Sequence, residues 1–243
     1  MYMKKFVLAG LSMVAFASAA NAQDTQAAAP AAPFSGPYVG LQVGYAEAQN
    51  THWDLDYWYD NFQAFEQKDE SASIGIRAGY DAQLRGGLLV GALAEFSILD
   101  VNSVDAVKKN DDTYEIGAKA ERLGSVRAKL GYANDDLAIY ATGGLGFANI
   151  KHHMQDIDGS TEGYDKKGDR TGLVYGLGAA YRVGARSNIA LDVSQYEFGS
   201  KTHEVLDDDS AVPAIAAAAV GTDYFFKQKD RIRTITLSFN YGF

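Results

Sequence analysis

The sequence predicts an all-β chain: an eight-stranded antiparallel up-and-down transmembrane β-barrel with four long external loops. Three observations lead there. Eight segments alternate apolar residues with small or polar ones, which gives each strand one apolar and one polar face. The breaks between them alternate strictly between short and long. No stretch after the N-terminus is long and apolar enough for a membrane-spanning helix: Leu88–Leu99 is interrupted by Glu95, and Ala211–Gly221 is too short. With 25 Gly, 15 Tyr and 12 Phe but only 4 Pro among 243 residues, the composition suits many paired strands in which backbone donors are needed. A mean hydropathy of −0.19 is too polar for a helical membrane protein but fits a barrel, where only alternate residues meet lipid.

Residues 1–22 read as an export signal. Lys4 and Lys5 form a basic start, an apolar run follows from Phe6 to Phe16, and Ala20-Asn21-Ala22 is a small-x-small cleavage pattern. The apolar run is shorter than the ~20 residues a spanning helix needs. With no Cys in the chain, a lipoprotein anchor, disulfides and thiolate metal sites are all excluded. Residues 23–33, rich in Ala, Gln and Pro, read as a flexible tether. Residues 34–243 then form the barrel.

The strands are expected in order at Tyr38–Tyr45, Ser73–Asp81, Leu88–Leu99, Glu115–Tyr132, Leu137–Asn149, Thr171–Arg182, Asn188–Phe198 and Arg231–Phe243. The eighth is the cleanest, setting Ile235, Leu237, Phe239, Tyr241 and Phe243 against Thr234, Thr236, Ser238, Asn240 and Gly242. The seventh changes parity near Gln195, where a bulge is expected. Short breaks lie around Arg85-Gly86, Asn134–Asp136 and Val183–Arg186. Long ones run over Ala46–Ala72, Asp100–Tyr114, Ile150–Arg170 and Gly199–Asp230. This asymmetry places the long loops at one end and both termini at the other.

A soluble barrel would turn its apolar face inward, and a membrane barrel does the reverse. Here the polar face is rich in Gly and Ser with few charges of both signs, which suits a narrow lumen better than a solvated surface. Tyr45, Tyr80, Tyr132, Tyr181 and Tyr241, at strand ends, are placed for an interfacial girdle.

The run Gly124–Ala133, followed by Tyr140-Ala141-Thr142-Gly143-Gly144, resembles the small outer-membrane β-barrel proteins of proteobacteria, porin-like and surface-antigen relatives of the outer-membrane protein A barrel. The resemblance implies a bacterial outer-membrane location, contact with outer-membrane lipid and lipopolysaccharide, and assembly by periplasmic chaperones and the barrel-assembly machinery. The ending Phe239-Asn240-Tyr241-Gly242-Phe243 resembles the assembly signal of that family, carried here by Tyr241 and Phe243. The resemblance specifies the barrel well and the function poorly.

Candidate site residues fall into two sets. Arg77, Glu95, Glu121, Arg127, Lys129 and Asp192 sit on polar strand faces as a lumen network or a pore lining. An eight-stranded interior is about wide enough for side chains to fill, and buried opposite charges must pair, so an ion-pair network is favoured over a selective pore. Trp53, Tyr57, Trp58, Tyr59, His152 and His153 are loop interaction candidates: the aromatics either contact a partner or the lipid interface or pack on one another over the barrel mouth, and the paired histidines raise metal or haem binding. All four histidines are expected in external loops, and neighbours on a strand alternate faces, which makes them poor joint ligands. The acidic runs Asp54–Asp56, Asp111-Asp112 and Asp207–Asp209 match no Ca²⁺-loop spacing.

No cofactor, metal site or catalytic set is expected, and the formal charge of −9 argues against nucleic acid. The expected role is a non-catalytic envelope protein displaying interaction loops. The alternatives are a narrow porin and a surface receptor for haem, metal, or a host or small-molecule ligand.

Overall fold

The computed structural model describes residues 33–54, 64–109, 112–156, 164–206 and 223–243. They form eight strands: β1 (Gly36–Asp54), β2 (Ala64–Gln83), β3 (Leu88–Lys109), β4 (Asp112–Ala133), β5 (Leu137–Asp156), β6 (Tyr164–Arg182), β7 (Ser187–Leu206) and β8 (Asp223–Gly242). Every strand pairs antiparallel with its sequence neighbours, and β1 closes on β8, giving one closed barrel. β1 and β8 meet at the short-turn end, where Tyr38 pairs with Gly242.

Each short connection is built by local chemistry. The β2–β3 turn is a 3-10 turn over Arg85–Gly87, with Gly86 and Gly87 at φ of 79° and 85°, a region that favours glycine. The β4–β5 turn is held by Asn134, whose side-chain oxygen accepts from the backbone N–H groups of Asp136 and Leu137 at 3.0 and 2.8 Å.

Alternation turns outward as expected of a membrane barrel. Leu41, Val43, Ile74, Ile76, Leu177, Leu191 and Leu237 are exposed on the outer face, while Gln42, Ser73, Arg77, Asp192 and Ser238 are buried inside. The outer apolar belt has a sharp upper edge. One register row reads Val193–Ile235–Tyr45–Ala72, and the next toward the external end reads Gln195–Arg233–Glu47–Glu70. Along β8 and the terminal residue the outward apolar series runs from Ile235 to Phe243, nine residues, the lower end of the 9–11 a spanning strand needs. Tyr45 stands at its upper edge, and Tyr80, Tyr132, Tyr181 and Tyr241 stand toward the short-turn end, all exposed.

Three expectations are corrected. The strands run 19–22 residues and continue well into the stretches read as long loops. Above the belt the outer face meets water, so period-two hydrophobicity disappears while the hydrogen-bonded ladder persists. For the same reason the four histidines lie on strands: His52 on β1, His152 and His153 on β5, and His203 on β7. The irregularity in β7 lies between Phe198 and Lys201, not near Gln195. At Gln195 the backbone alternation is unbroken. The apolar residues switch instead from the lipid face (Ile189, Leu191, Val193) to the interior (Tyr196, Phe198).

Candidate functional site

The barrel interior is stacked in layers, and the middle one holds most of the charges singled out from sequence. Arg77 on β2 is only 3% exposed and Asp192 on β7 only 1%. They meet at 2.7 Å, and Arg77 also donates to the Ser238 hydroxyl at 2.6 Å. Its other terminal nitrogen lies 3.2 Å from Glu95 of β3. The second Glu95 oxygen pairs with Arg127 of β4, so one carboxylate bridges two guanidinium groups. Arg127 donates further to Thr142 of β5 at 3.2 Å and Ser194 of β7 at 2.7 Å. Gln42 of β1 donates to Ser97 of β3 at 2.8 Å. The layer thus holds residues of seven strands across the lumen.

Toward the short-turn end, Lys129 pairs with Asp81 at 2.8 Å and donates to the Tyr38 hydroxyl at 3.1 Å. Its ammonium also sits 4.5 Å from the Tyr140 ring centroid and 5.0 Å from that of Tyr38, within cation–π range. Three buried cations (Arg77, Arg127, Lys129) face three carboxylates (Asp81, Glu95, Asp192), so the interior is charge-balanced. Desolvated charges are tolerated only in such paired arrangements. Glycines make room for it. A Cβ at Gly79 would lie 2.5 Å from the Tyr38 ring that crosses it, and one at Gly178 would collide with Tyr140 and the Asp192 carboxylate. Among Tyr38, Arg77, Asp81, Lys129 and Tyr140 a cavity of only about 10 Å³ is left, about what one water occupies.

Apolar layers cap the charged zone at both ends. Phe34, Leu89, Ala133, Ala138, Tyr140, Ala180 and Ala190 cluster at the short-turn end. Above the network, Leu99, Val101, Leu123, Ile150, Val174, Tyr196, Phe198 and Ile232 pack into a larger cluster. Near its rim Arg170 and Asp230 form a further buried pair at 3.2 Å.

Five of the six charges expected in the lumen, Arg77, Glu95, Arg127, Lys129 and Asp192, are gathered here. Glu121 is not. It sits at the β3–β4–β5 register irregularity, about one-third exposed, 3.7 Å from Lys119 and 3.8 Å from Lys151. The irregularity breaks the strict alternation from which its inward position was inferred: Ala118 and Ala120 face in, but so does Leu123. Beside it, outside the membrane-spanning segment, the Asp100 carboxylate holds the Lys119 ammonium above the ordinary lysine range.

Sequence reasoning missed Asp81, Tyr38 and Tyr140 as members of the network. Asp81 shares parity with Arg77, and Tyr38 shares parity with Gln42, so both were signalled. The apolar upper plug was not signalled, because its residues look like lipid-facing ones. Of the loop candidates, Trp53, His152 and His153 fall on strand backbone, and Tyr57, Trp58 and Tyr59 lie outside the described residues. Tyr241 faces outward on β8, with the Phe243 ring edge-on to it at 5.7 Å.

The family model for the outer membrane protein beta-barrel domain matches residues 7–243. The chain belongs to that family. Its location is the bacterial outer membrane, and the apolar belt is therefore its lipid contact. The 31 kDa outer-membrane immunogenic protein of Brucella melitensis is 26% identical over 260 residues, covering 99% of this chain and 100% of the relative, and its Brucella suis counterpart matches equally. Among solved structures, the outer membrane protease OmpT of Escherichia coli matches with a TM-score of 0.51 at 9% identity, over 86% of this chain and 97% of that one. OprG of Pseudomonas aeruginosa matches at 15% identity with a TM-score of 0.49, over 86% and 96%. At 9% identity the likeness to OmpT is one of fold. This barrel therefore meets its lipid through a short belt, with a filled interior behind it and strand walls that project beyond the membrane on the external side.

Proposed function

We propose that this barrel is a non-catalytic envelope protein, exported by residues 1–22 and linked through residues 23–33, that stabilises the outer membrane and displays its external connections to partners. The observation that carries this reading is the filled interior. A charge-balanced network lies between two apolar clusters, around a cavity near 10 Å³. An aqueous path for solutes would need that stack to open. Ser194 and Ser238 accept hydrogen bonds from Arg127 and Arg77, which offer no base, and the Glu95 carboxylate that Ser125 faces is held by two guanidinium groups. The immunogenic character named for the Brucella relatives supports surface display. Tyr241 and Phe243, at the end of the closing strand, are the residues we assign to recognition by the assembly machinery.

Single-channel recording tests the reading. Protein refolded into a planar bilayer, with folding checked by a heat-modifiable gel shift, is expected to give no conductance steps. Reproducible steps from folded protein would replace this reading with that of a narrow porin.

A further inference from the structure

β8 carries a second pattern that its lumen side conceals. Immediately above Ile235, at the upper edge of the apolar belt, positions 233, 231, 229 and 227 are Arg, Arg, Lys and Lys. They alternate with Ile232 and Asp230, which are buried inside at 1% exposure, so all four cations project from the outer face. The acid within this run is removed from the stripe, because Asp230 turns inward to Arg170. Alternate residues on a strand are spaced by about 7 Å, so the four charges climb roughly 20 Å along β8 from the upper edge of the belt. That edge is the outer-leaflet side, since the short turns mark the periplasmic end.

In a chain of net charge −9 this is a basic ribbon that rises from head-group height. The carboxylate neighbours of Arg231 and Arg233 compete only weakly for these two cations. Glu197 is 3.7 Å from Arg231 and Glu47 is 3.6 Å from Arg233, and Gln195 accepts from Arg233 at 3.2 Å. These partners are 27–53% exposed, a setting in which ion pairs contribute little. The same register rows bring Lys68 to the ribbon, two strands away from Arg231 across Gln49.

We infer that the outward ribbon Lys227, Lys229, Arg231 and Arg233 binds the phosphates of the outer-leaflet glycolipid, with the acyl chains of that lipid lying on the belt below Ile235. This rests on the membrane reading above and assigns particular residues to the glycolipid contact that the family resemblance implies. Phosphate is the fitting anion: guanidinium groups offer it paired donors, and a ligand anchored in the leaflet is presented at the height of the ribbon. Direct cation–phosphate contact needs no divalent ion.

The test uses folded chain purified in detergent and titrated with diphosphoryl lipid A or with its dephosphorylated form, in the presence of a chelator. The K227Q/K229Q/R231Q/R233Q variant is expected to lose at least about tenfold in affinity for the phosphorylated lipid, equivalent to about 1.4 kcal/mol. A K119Q/K151Q variant on the far wall should bind as the parent does. Equal binding of the dephosphorylated lipid by the parent, or unchanged affinity of the fourfold variant, would overturn the inference. A gel-shift check in phosphatidylcholine bilayers is run on every variant. If the parent itself fails to fold into the bilayer, the membrane reading falls. If all fold and lipid A binding is indifferent to the ribbon, only this inference falls.

Discussion

At the residue scale, Glu95 bears the most weight, because its two oxygens serve Arg77 and Arg127 separately. Asp192 leaves Arg77 a second carboxylate, whereas Arg127 would keep only the hydroxyls of Thr142 and Ser194. Glu95→Gln is therefore expected to destabilise the folded barrel by about 3–5 kcal/mol, the range for a buried pair that loses one partner. Urea unfolding in lipid bilayers, followed by tryptophan fluorescence, measures it. A midpoint unchanged from the parent would mean the network is wetter than its burial implies. Glycines offer a paired comparison. Gly79→Val drives a side chain into Tyr38 and should cost about 1–3 kcal/mol. A Cβ at Gly143, on the exposed outer face, meets nothing closer than 4.0 Å, and Gly143→Val should fold with the parent's midpoint. Equal effects of the two would remove the argument that lumen glycines exist to seat the tyrosines.

At the element scale, β8 is the strand on which inside and outside are best separated. Leu237 is half exposed on the lipid face, while Ser238 beside it is 2% exposed and hydrogen-bonded to Arg77. Leu237→Arg is expected to cost about 2–4 kcal/mol near the bilayer midplane. Refolding into lipid as efficient as the parent's would reverse the assignment of faces. The same strand shows what a sequence can and cannot disclose. Where one face meets lipid, alternation is enforced chemically, so the strand cores, the short turns at Arg85–Gly87, Asn134–Asp136 and Val183–Arg186, and the inward positions of Arg77, Arg127 and Asp192 were all legible. Above the belt both faces tolerate polar residues. The upper half of β8 thus read as loop, and its four aligned cations went unnoticed. β7 misled for the opposite reason: Tyr196 and Phe198 are apolar because they plug the interior, and pattern alone cannot distinguish a plug from a lipid contact. Glu121 was misplaced because a register irregularity leaves no trace in residue type.

At the scale of the whole molecule, the lumen is closed by barriers in series, which fixes how any opening must behave. An ion entering from the external end would pass the buried Arg170–Asp230 pair and then meet Tyr196, Phe198 and Ile232, whose apolar packing offers little to replace hydration. It would then meet the paired charges around Glu95, and finally Tyr140 and Leu89 at the periplasmic end. Removing one barrier leaves the others in place. The triple variant Y196A/F198A/I232A should therefore remain electrically silent in a planar bilayer, although each truncation costs packing energy of about 2–5 kcal/mol. Adding Glu95→Ala and Tyr140→Ala thins all three layers at once, and small conductance steps are expected only from that combination. Protein must first pass the gel-shift check, and Gly143→Val provides a folded control that leaves the lumen untouched. Steps from the triple variant alone would place the whole permeability barrier in the apolar plug and reduce the charged network to a purely structural element.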